Sequence, residues 1–247
     1  MLRWFVSVNR RAARKLEEKY PRFFLESRNF GDDFRATVRK TLKEKMPKVI
    51  LEVGGVDRPT LQKSPDYAYI GLDIDARENC YVVYDRFIHG SIEDETDLDG
   101  VELAISKAVF EHVPDVTRAF QTVYGVMGNG AVMHHYIPSG FHPYSIALKI
   151  VGEKPQKWLI RNLRPRQDAI NTTGYPAFFN HCDPISMRKL LERTGFRDVN
   201  FIIYYKATDY FAFFLPAYLL VATFENLASK MGWTIFASGM VVTAKKP

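Results

Sequence analysis

Residues 48–75 read KVILEVGGVDRPTLQKSPDYAYIGLDID. Residues 49–53 form a short, β-branched apolar run that stops at Gly54-Gly55, the length of a buried parallel strand ending in a tight turn. Residues 67–72 form a second such run, closed by Asp73, which lies 21 residues after Glu52. A strand, a glycine turn, a helix or loop, and a second strand with a terminal carboxylate is an arrangement that holds a nucleoside, the acid accepting the ribose hydroxyls. A nucleoside-containing cofactor is the first expectation.

The glycines separate one nucleoside class from another. A dinucleotide site uses G-x-G-x-x-G, so that the backbone can approach a pyrophosphate at a helix N-terminus. Here Gly54 and Gly55 are followed by Val56, Asp57, Arg58 and Pro59, which breaks that pattern. The stretch resembles the acidic-x-G-x-G-x-G loop of class I S-adenosylmethionine-dependent methyltransferases. Glu52 and Gly54 match its acid and first glycine, while Val56 and Arg58 stand where that family usually has glycines. The resemblance implies S-adenosylmethionine as cofactor, with Glu52, Gly54, Gly55, Asp73 and Ile74 around it.

A second resemblance lies downstream. Residues 101–106, VELAIS, read as a strand and lead into KAVFEHVPDVTRAF. Phe110, Glu111, His112, Val113 and Asp115 match the L-E-H-V-x-D element of type 11 methyltransferases, which opens a helix beside the sulfonium. That match implies that Ser106, Glu111 and His112 lie near the cofactor. Residues 81–83 read as a third strand, after which Ser91 falls where the family contacts adenine, with Ile92 beside it and Glu93 and Asp94 following. A solvated acidic turn is the alternative there. Gly128-Asn129-Gly130 before residues 131–137 is similar to the family's K-P-G-G turn and fifth strand. The implied fold is α/β: a Rossmann-like, seven-stranded, mostly parallel sheet with helices on both faces, an N-terminal helical arm and a lid insertion.

Outward from this centre, 247 residues with 47% apolar content suffice for one α/β domain with appendages. Residues 1–47 read as a basic helical arm, 48–247 as the methyltransferase domain, and 139–185, rich in Pro, His and aromatic residues, as a substrate-binding lid. The net charge of +6 is concentrated in residues 1–48, which hold fourteen Lys and Arg against six Asp and Glu. Leu2, Phe5, Val6, Ala13, Leu16 and Tyr20 recur at helical spacing among these bases. Such an arm reads as a solvated helix face, or as a segment for an anionic membrane, nucleic acid or an acidic substrate. Residues 4–8 are too short for a signal-peptide core, and Cys80 and Cys182 form no C-x-x-C pair. A cytoplasmic protein, peripheral at the inner membrane face if the arm meets lipid, is expected.

Residues 32–45 read as a second helix and residues 183–195 as another, with Ser186 as its cap. Residues 196–205 and 239–244 complete the sheet, the last strand antiparallel by the resemblance. Residues 210–224, YFAFFLPAYLLVATF, carry no charge. They are shorter than the roughly 20 apolar residues of a spanning helix. Three readings stay open: a segment docked on a bilayer, a core helix kinked at Pro216, and a dimer face.

Methyl transfer to a hydroxyl needs a base, and imidazole is the best matched at neutral pH. His135 and His142 are the candidates, with His112 placed near the cofactor by its motif. Alternation sends His134 and His135 to opposite sheet faces. Tyr136, Tyr144, Tyr175 and His181, with Arg164 between Arg161 and Arg166, would bind the substrate; ordinary lid packing is the alternative. No His pair has metal-ligand spacing, so no metal is expected. The expected acceptor is a small molecule, a glycan or a lipid-linked intermediate. A methyltransferase-like binding protein with a degenerate cofactor site is the second reading. A nucleic-acid methyltransferase ranks below it, because no N-P-P-[YF] motif occurs, and no nucleic-acid partner is expected.

Overall fold

The computed structural model describes residues 1–94, 97–151 and 176–247. By internal contacts the chain forms two compact units that interleave along the sequence: Asn29–Pro138 with Phe178–Ile202 and Gly239–Pro247, and Met1–Arg28 with Ser139–Ala177 and Ile203–Ser238.

The first unit is built on the sheet. Strands β1 (Val49–Val53), β2 (Ala68–Asp73), β3 (Arg86–His89), β4 (Val101–Lys107), β5 (Met127–Pro138), β6 (Arg197–Tyr204) and β7 (Gly239–Lys245) lie in the order β3-β2-β1-β4-β5-β7-β6. The β1/β2, β1/β4, β2/β3 and β4/β5 pairs are parallel, and β5/β7 is antiparallel. This is a Rossmann-like α/β sheet, as the sequence implies. Its order reverses beside β1, and ligands of such sheets bind where the strands' carboxyl ends diverge at that point. Both central strands are largely buried, which is why β1 reads as apolar at every position but Glu52 rather than as an alternating run.

Helix α2 (Phe30–Lys45) packs on β5 and β7. Asn29 caps it by accepting from the Gly31 N–H at 3.0 Å, Asp32 and Asp33 sit in its first turn, and Lys43 and Lys45 in its last, all favourable to the helix dipole. Phe34 and Val38 are its buried face.

Four local expectations are corrected. Residues 81–83 belong to a short helix, α3 (Cys80–Val83), because Cys80 and Tyr84, four residues apart, are the buried pair while Tyr81 and Val82 are exposed. Gly128-Asn129-Gly130 lies within β5: the register jumps from Val101↔Met127 to Leu103↔Val132, so these residues form a bulge, and Gly130 N–H bonds to the Lys246 carbonyl at 2.9 Å. After α4 (Val116–Val126) and α5 (Pro143–Val151), helix α6 (Pro184–Thr194) is capped by Asp183 and not by Ser186. Pro184 occupies the first turn, and the Asp183 carboxylate accepts from the Ile185 and Ser186 N–H groups at 3.0 and 2.9 Å. Pro216 does not kink a helix; it sits in the first turn of α7 (Leu215–Lys230), where its missing N–H is tolerated.

The second unit is centred on α7 and α1 (Leu2–Lys19). Ala13, Phe24, Ala212, Tyr218 and Ala222 form its core, with Leu16, Phe211, Leu215 and Leu219 against them. Phe214, the N-cap of α7, has no capping side chain, and Asn9 of α1 substitutes by accepting from the Leu215 N–H at 2.9 Å. Glu17 bonds Lys206 and accepts from the Tyr218 hydroxyl at 3.2 Å. No helix among the described residues is long and apolar enough to cross a membrane.

Candidate active site

The glycine turn after β1 is held from three sides. Gly54 has φ +80°, its N–H bonds to the Leu72 carbonyl at 2.9 Å, and a Cβ there would lie 2.1 Å from a methyl of Val109. A Cβ on Gly55 would lie 2.0 Å from the Tyr84 hydroxyl. Val56 follows with φ +45°, a left-handed conformation that strains a β-branched residue.

Glu52 organises this turn from below. Its buried carboxyl accepts from Thr60 N–H at 3.1 and 2.9 Å, from Thr60 Oγ1 at 2.5 Å, from the Tyr69 hydroxyl and from the Tyr84 hydroxyl at 3.3 Å. Burial raises its pKa, opposed by these bonds. The same burial and the Glu52 charge raise the Tyr69 and Tyr84 hydroxyls, so both stay protonated donors.

Asp73, at the end of β2, accepts from the Asp75 N–H at 2.8 Å and from the Val56 N–H, which ties the second strand's acid to the glycine turn. Desolvation raises its pKa. The next residue, Ile74, is 61% exposed. Gly90 N–H bonds to the Asp73 carbonyl at 2.9 Å and so brings the turn after β3 alongside. There Ser91 bonds both the Glu93 N–H and its carboxylate, and Glu93 in turn accepts from the Asp115 N–H at 2.7 Å; Ile92 is buried. Glu52, Gly54, Gly55, Asp73, Ile74, Ser91 and Ile92 are thus brought to one edge of the sheet.

Beyond β4, a 3₁₀ turn (Phe110–His112) precedes α4, which Asp115 caps through the Arg118 N–H at 3.0 Å. The Glu111 carbonyl accepts from the N–H groups of Phe178 and Phe179 at 2.8 and 3.1 Å, which fixes residues 178–182 over this turn; the exposed His181 lies there with φ +54°. The Glu111 carboxyl is buried, its Oε2 has no hydrogen-bond partner among the described residues, and desolvation pushes its pKa up to about 8. His112 Nε2 stands 3.7 Å from Glu111 Oε1, and its side chain remains 34% exposed.

The other anticipated residues that the structure describes are buried side chains. His135 is wholly buried: its Nδ1 pairs with Ser106 Oγ at 2.7 Å, its ring meets the edges of Phe110 and Phe120, and burial, then His134, lower its pKa to about 3. The His135 Nε2 has no hydrogen-bond partner among the described residues, and Ser106 is paired with Val53, the residue before the glycine turn. His134 points to the opposite face, between Thr41 and Thr243 at 2.8 Å each. Tyr136 is buried and stacks on Phe30 with ring centres 3.9 Å apart.

In the other unit, His142 is also wholly buried. Its Nδ1 accepts from the Tyr144 N–H at 3.3 Å and its Nε2 is 3.2 Å from Glu225 Oε1, so both ring nitrogens face protein. Glu225 accepts in addition from the Ala207 N–H at 2.7 Å and from Thr208 Oγ1 at 2.5 Å. Tyr144 stacks on Tyr210 and donates to the Ser238 carbonyl at 3.2 Å. Arg164 and Tyr175 lie outside the described residues, as do Arg161 and Arg166.

Lys107 escaped the sequence reading. It ends β4, its Nζ lies near Gly31 at the start of α2, and its pKa is lowered by desolvation and then by Arg35. A lysine immediately after VELAIS, at the carboxyl edge where ligands bind, was the available signal.

No protein-family model matches the chain. No curated protein matches it either. Solved structures do. A Thermotoga maritima protein described as a SAM-dependent methyltransferase and possible histamine N-methyltransferase superposes with a TM-score of 0.54 at 15% identity, over 94% of this chain and 97% of that one. An Archaeoglobus fulgidus SAM-dependent methyltransferase gives 0.51 at 14% over 94% and 98%. The Haemonchus contortus phosphoethanolamine N-methyltransferase 2, solved with phosphomonomethylethanolamine and S-adenosylhomocysteine, gives 0.53 at 12% over 92% of this chain. Only 56% of that enzyme is covered, so the chain spans little more than half its length. For the CurJ carbon methyltransferase the covered share is 53%. Strand order, the antiparallel β7 and these superpositions together establish that the chain has the class I S-adenosylmethionine-dependent methyltransferase fold.

Proposed function

We propose that the chain is an S-adenosylmethionine-dependent methyltransferase acting on a hydroxyl of an anionic small-molecule, glycan or lipid-linked acceptor. The observation that carries the reading is the half-buried Asp73 carboxylate beside the glycine turn, with the exposed Ile74 next to it. Unused lone pairs of that carboxylate suit ribose hydroxyls, and Ile74 offers an apolar surface for a purine. The cofactor's other end meets a narrower place, since Val109 packs directly on Gly54, and its side chain has to turn aside for a methionine moiety. When bound, S-adenosylmethionine supplies an electrophilic methyl carbon on a positive sulfur.

The chain's own contribution is orientation and proton removal. Of the three candidate histidines, His112 keeps an exposed ring beside the cofactor edge, and we assign it the base. Lys107 and Arg35 supply positive charge for an acidic acceptor. Among the structural neighbours, the Haemonchus enzyme was solved with a phosphorylated acceptor, which supports an acceptor of that charge.

Calorimetric titration with S-adenosylhomocysteine tests the reading. Micromolar binding that Asp73→Ala abolishes is expected; an unchanged affinity removes the ribose assignment. His112→Ala should retain that affinity and lower turnover by roughly 10². The Val109 contact, with Val56 and Arg58 at glycine positions, favours a second reading, a binding protein whose cofactor site has closed. Absence of any S-adenosylhomocysteine binding by the folded parent chain would select it.

A further inference from the structure

We infer that the unit containing α1 and α7 docks by those two helices on an anionic lipid bilayer, lying in the interface without crossing it. The inference does not depend on methyl transfer. On α1, Trp4, Val8, Arg11 and Lys15 follow one another at steps of four, three and four residues, so they share one face. All four are exposed, Trp4 by 70%. Phe5, 43% exposed, flanks the apolar end of that face. The buried face of α1, marked by Val6 and Ala13, is elsewhere on the helix. Six basic residues stand against two acidic ones along α1, and one of those two, Glu17, is engaged by Lys206 and Tyr218.

Helix α7 presents a matching surface. Pro216, Leu220, Thr223 and Leu227 form its outward stripe, continued by Met231 just past the helix end. Leu220 is 73% exposed, Leu227 47% and Met231 56%. The helix has one acid, Glu225, which points inward and is buried, so the stripe carries no negative charge and ends at Lys230. The two helices are held together, α1 Asn9 capping α7 at Leu215, one residue from the exposed Phe214 and one from Val8.

A second copy of the chain would cover apolar residues equally well but would bring its own bases against these. Tryptophan, phenylalanine and leucine bordered by arginine and lysine fit the headgroup boundary of an anionic leaflet, where the rings enter the acyl edge and the bases meet phosphate. No described helix is long and apolar enough to span, which fits an in-plane attachment.

The test is flotation of the full chain with vesicles of phosphatidylcholine alone, or of phosphatidylcholine with phosphatidylglycerol, at low and high salt. Binding is expected to the anionic vesicles, reduced roughly tenfold or more by high salt. Trp4→Ser with Val8→Ser, Leu220→Ser with Leu227→Ser, and Arg11→Glu with Lys15→Glu should each weaken it by about tenfold. All six side chains are exposed, so thermal unfolding followed by circular dichroism should be unchanged, and the salt dependence of the parent chain stands as a test without any variant. Equal binding to neutral vesicles at both salts would overturn the proposal, as would no binding to either. A dimer seen by light scattering that the Leu220→Ser, Leu227→Ser variant dissociates, with no vesicle binding, would assign the surface to a second copy and likewise overturn it.

Discussion

Replacing Glu111 by Gln should stabilise the fold at neutral and alkaline pH by an amount that the structure bounds. The Glu111 carboxyl is buried, has one oxygen without a hydrogen-bond partner among the described residues, and has its pKa pushed by burial from 4.5 to about 8. Its proton is therefore held more tightly in the folded chain than in the unfolded one. Stability from this group is intact below about pH 4.5, falls as pH rises from there, and levels off above about pH 8. At about 1.4 kcal/mol per pH unit, the shift from 4.5 to about 8 sets a ceiling of roughly 5 kcal/mol. Glutamine has the shape of the protonated acid and no charge to bury. Urea unfolding of parent and Glu111→Gln chains at several pH values isolates the effect, because every other titrating group, the buried His134 and His135 included, is common to both. The difference should be near zero at the acid end and grow to several kcal/mol in favour of the variant toward pH 8. A variant that is less stable than the parent at every pH, or a difference that does not change with pH, would refute the reasoning.

Two further substitutions probe the frame around the site. Gly54→Ala forces a left-handed backbone on a residue with a Cβ and drives that Cβ into Val109, at a cost of about 2–4 kcal/mol in urea unfolding; the double variant with Val109→Ala should regain the steric part and not the backbone part. Glu225→Ala removes the acceptor for Ala207 N–H and Thr208 Oγ1 and the neighbour of His142 Nε2, so it should cost about 3 kcal/mol or more and lower the melting temperature; a variant as stable as the parent would show that this cluster does not hold its unit together.

Much of the sheet was legible because its central strands are largely buried and announce themselves as mostly apolar runs, with Gly54 following β1 and Asp73 closing β2. Helix α3 was not, since four residues are too few for a helical period and its Cys80/Tyr84 spacing is equally that of a strand. The bulge at Gly128–Gly130 is set by pairing with β4 and the C-terminal Lys246, contacts that the local sequence does not contain. The histidines illustrate the same limit: the alternation of His134 and His135 is local and was readable, but the burial of His135 depends on Phe110 and Phe120, and that of His142 on Glu225. Asp183 outcompetes Ser186 because Pro184 fixes where the helix can begin, a signal that the sequence itself carries.

Asn9 gives the N-terminal segment a duty that its basic, tail-like composition hides. By supplying the acceptor that α7 lacks at its own start, it makes the opening turn of one helix depend on a side chain more than two hundred positions earlier. Cutting away residues 1–20 to look for a lost lipid contact would therefore also strip Ala13 and Leu16 from around Phe24 and Tyr218 and leave the Leu215 amide without its acceptor. Point changes on the outer face of α1 probe attachment; truncation probes folding.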